Sequence, residues 1–96
     1  MSFSQFAQQQ QRRLILEQLE AENDYTSNSI LLKQILQMLG HTLSSDQVVT
    51  EITWLQEQGL VTLESFGGIY VAKLTERGLD VATGAAQIPG IARKGL

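Results

Sequence analysis

The stretch LSSDQVVTEITWLQEQGLVTLESFGGIYVAKL, Leu43 to Leu74, changes its hydrophobic period once, and that change decides the fold. In its first half Val48, Ile52 and Leu55 recur at helical spacing, with Val49 at their flank, so they form one inward face at about 100° per residue. Ser44 and Gln47 match a capping box that starts this helix. Asp46 lies in its first turn, where the helix dipole favours a negative charge. The helix runs to about Gln58 and Gly59 closes it. Its outward arc collects Asp46, Gln47, Thr50, Thr53, Trp54 and Glu57.

From Leu60 onward apolar and polar residues alternate on either side of Gly67-Gly68, the pattern of a β-hairpin whose two turn residues need positive φ. Pairing Phe66 with Ile69 sets Ser65 opposite Tyr70, Leu63 opposite Ala72 and Val61 opposite Leu74, and one face becomes nearly all apolar. The other face carries Thr62, Glu64, Phe66, Ile69, Val71 and Lys73, with two apolar residues at the tip.

Upstream, Ile30, Leu31, Ile35, Met38 and Leu39 predict a helix of about three turns that stops at Gly40, after a cluster of turn and cap residues from Asn23 to Asn28. A first helix is expected from Ser4 to about Glu22, with Ser2 and Gln5 as a capping box. Downstream, Thr75 reads as an N-cap, and Leu79, Val81 and Ala82 carry a short fourth helix to Gly84. Residues 85–96 hold Pro89 and several glycines without a sustained period and are expected to form a flexible tail. The expectation is an α+β fold of three helices, a two-stranded hairpin and a short C-terminal helix: one domain over residues 1–84, then the tail.

Composition supports a single domain. The chain has 96 residues, 43% hydrophobic and 18% charged, enough apolar side chain for a modest core. It has no cysteine and one histidine, so thiolate metal sites, disulfides and cysteine nucleophiles are excluded, and multi-histidine zinc sites and serine triads have little to build on. No enzyme activity, cofactor, metal or small-molecule substrate is expected. The N-terminus lacks the basic-then-apolar order of a signal peptide and no apolar run is long enough to span a bilayer, so a cytoplasmic, non-membrane protein is expected. His41, in the loop after Gly40, reads as a polar turn residue. Gly67-Gly68 reads as a turn and not a phosphate cradle.

Three helices followed by a hairpin is the order of a winged helix-turn-helix. The run Leu55-Gln56-Glu57-Gln58-Gly59-Leu60-Val61, followed by a hairpin and Leu74-Thr75-Glu76-Arg77-Gly78, resembles the small winged-helix regulators labelled ArsR-, MarR- or PadR-like over about residues 12 to 84. With the ending IPGIARKGL it is most similar to the short winged-helix proteins of Mu-like prophages. The resemblance implies a homodimer that binds duplex DNA in transcriptional regulation, with Gln47, Thr50 and Thr53 approaching base edges and Arg12, Arg13, Lys33, Lys73 and Arg77 holding phosphates.

Charge points the other way. The formal net charge is −3, and residues 44–66 hold Asp46, Glu51, Glu57 and Glu64 with no base, so the expected reading helix repels phosphate. The alternative is a winged-helix protein-interaction module that has lost DNA binding. Trp54, Phe66 and Ile69 are then contact residues, with Phe3 and Phe6 as a dimer seam. Trp54 has a second reading, packing under helix 1, helix 4 or the tail. Phe3 and Phe6 likewise have one, packing against helix 4. Arg93 and Lys94 read as either a phosphate-seeking arm or a solubilising end.

Overall fold

Each helix starts on a side chain that satisfies its otherwise orphaned backbone donors. In α1 (Phe3–Ala21) the Ser2 hydroxyl accepts from the Gln5 amide while the Gln5 side chain accepts from the Ser2 amide. α2 (Ser29–Met38) begins with the Asn28 side chain accepting from Leu31 N–H. α3 (Ser45–Glu57) has the reciprocal Ser44 and Gln47 bonds expected of it. α4 (Glu76–Thr83) starts at Thr75, whose hydroxyl accepts from Gly78 N–H, and ends at Gly84 with φ +89°. These elements belong to a computed structural model that describes residues 1–95.

β2 (Val61–Phe66) and β3 (Ile69–Leu74) pair antiparallel in the register set by the glycine turn, Phe66 facing Ile69 and Val61 facing Leu74. Both turn glycines have positive φ, 57° and 85°, which a Cβ would oppose. The sheet nevertheless has three strands, where two were expected. β1 (Thr26–Asn28) pairs with the far edge of β3, giving the order β1-β3-β2. Thr26-Ser27-Asn28 is polar and too short to show a period of two, so only the nearby free edge of β3 makes it a strand. Ser27 lies opposite Ala72 and is buried, its hydroxyl without a hydrogen-bond partner among the described residues.

The core lies where α1, α2 and α3 meet the inner face of the sheet. Val48, Ile52 and Leu55 are fully buried, as the helical phase of α3 required, against Ile15, Leu16 and Leu19 of α1. Residues 85–95, expected to be flexible, instead fold back along α1. Ile91 is 4% exposed, Ala92 is buried, and the Ala92 amide donates to Gln9 O at 3.2 Å. The segment has no periodicity because it makes neither helix nor ladder, and its order comes from partners on α1. Leu96, the last residue of the expected tail, lies outside the described residues. Among the described residues no helix is long and apolar enough to cross a membrane.

α4 sits tightly on the connection between α3 and β2. Leu60 O accepts from Thr75 N–H at 3.0 Å, and Gly78 packs so close to the Leu60 carbonyl that an added Cβ would collide with backbone. Gly78→Ala should therefore destabilise the chain by about 2 kcal/mol or more despite alanine's better helix propensity, read as a lower urea midpoint.

Candidate interaction surface

Two neighbouring arginines of α1, which the family resemblance assigns to phosphate contact, turn into the fold. The Arg13 guanidinium, 4% exposed, donates from Nη1 to Val81 O at 2.6 Å and Ala82 O at 3.1 Å, and from Nε to Ala92 O at 2.9 Å. It thus serves the last turn of α4, where the Gly84 cap amide also donates to Val81 O at 3.2 Å and no residue is basic. Burial pulls the Arg13 pKa below its usual value, partly offset by the Glu17 carboxylate 4.0 Å away. Arg12 turns to α3. Its Nε donates to Glu51 Oε1 at 2.7 Å, its Nη1 donates to Gly90 O at 3.0 Å, and its guanidinium lies 3.8 Å over the Trp54 ring. Gln8 Nε2 completes the cluster with a 2.7 Å bond to Glu51 Oε2.

This changes how α3 is read. Glu51 is buried and paired, so its charge is absent from the outward face. Trp54 is half-buried beneath Arg12 and Gly90, which matches its packing reading more closely than that of a bare anchor. Asp46, Gln47, Thr50 and Glu57 remain exposed, and Thr53 is half-buried. Helical phase alone leaves Glu51 on neither arc of α3, and nothing local marks Gln8 or Gly90 as members of its cluster. The one available signal was an acid at the boundary of the apolar arc, which the sequence could not match to a base 39 residues away.

The remaining basic residues do not converge on α3's outward face. Lys73 stands on the outer face of the sheet and pairs with Asp24 at 3.3 Å. Arg77 is exposed at the start of α4, its stem beside Gly59. Lys94 reaches Glu17 at 3.5 Å, and Arg93 is exposed near the end of the tail. Lys33 differs. It projects from α2 toward the start of α3, 3.3 Å from Ser45 Oγ, and lines a cleft of about 420 Å³ between α2, the first turns of α3 and the hairpin tip.

That cleft brings together residues the sequence had listed separately. Ile30, Val49 and Ile69 supply apolar walls and Lys33 supplies a charge, while Gly67 and Gly68 form one side. Among its described lining residues none is acidic. Phe66 is exposed at the hairpin tip. Phe3 and Phe6 are exposed on the first turn of α1, and neither joins the buried core cluster.

Two known proteins align with nearly the whole chain. The "Uncharacterized protein gp26" of Escherichia phage Mu is 42% identical over 82 residues, which is 85% of either chain. The chain belongs to the gp26 family of phage Mu. An "Uncharacterized protein" of Haemophilus influenzae is 39% identical over 84 residues, 86% of this chain and 81% of that one. The phage Mu relative agrees with the Mu-like link of the sequence resemblance. No protein-family model and no solved structure matches the chain.

The arginine pair supplies a test. Arg12→Ala leaves Glu51 buried without its cation and should cost about 3 kcal/mol of unfolding free energy, whereas Glu57→Ala on the exposed arc should change it by less than about 0.5 kcal/mol. Arg13→Lys keeps the charge but cannot reach three carbonyls with a planar fork, and should lower the thermal midpoint clearly.

Proposed function

We propose that this chain is a winged helix-turn-helix protein that works by binding another protein chain rather than by catalysis. The element order α1-β1-α2-α3-β2-β3-α4, with a short first strand completing a three-stranded sheet, supports the winged-helix reading. α2 and α3 are then the helix-turn-helix, and the β2–β3 hairpin is the wing.

One observation carries the choice of partner class. Arg12 and Arg13 spend their donors inside the fold, and α3 presents Asp46 and Glu57 outward with no base among its residues. A surface of that kind cannot draw on phosphate neutralisation, the main source of non-specific DNA affinity. Exposed Phe66, Ile69 and Ile30 offer instead the apolar anchors that dominate protein contacts.

Binding to duplex DNA in transcriptional regulation is the second reading, and Lys33 favours it, because it sets a cation beside the start of α3, with Gln47 and Thr50 exposed nearby on that helix. Fluorescence anisotropy of a labelled duplex of about 30 base pairs separates the two, titrated from about 50 to about 200 mM salt. Under the protein-contact reading no saturable binding is seen at the low end. Saturable binding that falls steeply with salt would overturn it, and loss of that binding in Lys33→Glu would assign DNA to the cleft side of α3.

A further inference from the structure

The cleft and the hairpin tip match each other in spacing and in charge. On α2, Ile30 and Lys33 are three residues apart and share one helix face, with about 5–6 Å between their Cβ atoms. On β2, Phe66 and Glu64 are two residues apart and share one strand face, separated by about 7 Å along the strand. Phe66 is 60% exposed and Ile30 is 49% exposed, so each offers apolar surface that none of the described residues covers. Lys33 is the cation of a cleft without lining acids, and Glu64 is the one acid of the hairpin.

We propose that the cleft receives the hairpin tip of a second copy of this chain, Phe66 entering beside Ile30 and Val49 and the Glu64 carboxylate meeting Lys33. The inference rests on the protein-contact reading and names its partner. The tip that fills one cleft also forms a wall of its own cleft through Gly67, Gly68 and Ile69. A two-fold axis between the tips therefore satisfies both clefts at once, as an isologous contact requires. Each copy gives one carboxylate and accepts one, so the interface is neutral although the chain carries a net charge of −3.

Reciprocity makes the test sharp. In sedimentation equilibrium of the full-length chain, the wild type should self-associate to a dimer. Lys33→Glu and Glu64→Lys, each setting like charges face to face, should each weaken the dimer about tenfold or more while leaving the circular dichroism spectrum unchanged. Mixing the two single variants should restore association, because every facing pair in the mixed dimer is again of opposite sign. Phe66→Ser should abolish association in either background.

A monomeric wild type, a dimer indifferent to both charge reversals, or a mixture that fails to recover would each overturn the inference. These outcomes are separate from the duplex titration. A monomer that also ignores DNA removes the second copy and keeps the protein-contact reading, whereas steep salt-dependent DNA binding removes that reading whatever the association state.

Discussion

The structure depends on two consecutive arginines in α1 that point to different parts of the molecule. Adjacent residues on a helix lie about 100° apart, so Arg13 reaches the end of α4 while Arg12 reaches α3 and the returning tail. Arginine suits the task because its fixed fork of donors serves several carbonyls at once and remains charged when buried. Val81, Ala82, Gly90 and Ala92 all present carbonyls to this pair, and without it the C-terminal third of the chain would have few polar ties to the first helix.

That arrangement decides the character of the surface. Cations used to close the fold cannot also lie along phosphates, and the acid that pairs with Arg12 is withdrawn from the outer face of α3. The residual exposed charge of α3 is negative, and the remaining bases are spread over the sheet, the start of α4 and the tail. Among the described basic residues only Lys33 stands where α2, α3 and the hairpin come together. That distribution is the support for the proposed contact through apolar anchors beside one charge.

Local signals were legible wherever the interaction spans a few residues. The Ser2–Gln5 and Ser44–Gln47 boxes, the Thr75 cap and the Gly67-Gly68 turn each close within a few positions, so each could be read directly and each is formed. The apolar arc of α3 was legible for the same reason, since helical phase alone assigns Val48, Ile52 and Leu55 to one side. β1 was not legible, because three polar residues carry no period and the strand exists through its partner. The tail was misjudged because glycine and proline report what a segment cannot form, not what it can lie against.

The sequence by itself determined the helices, their ends, the hairpin and its register, and which side of α3 turns inward, because caps, turns and periodicity act over a few neighbouring residues. Tertiary structure alone decided that Arg12 and Arg13 are internal ties, that Glu51 is buried, that the last residues pack on α1, and that Lys33 shares a cleft with the hairpin tip. The physical reason is distance along the chain. The Arg12–Glu51 pair spans 39 residues and the Arg13–Ala92 bond 79, and no local pattern records which base a distant acid or carbonyl will meet.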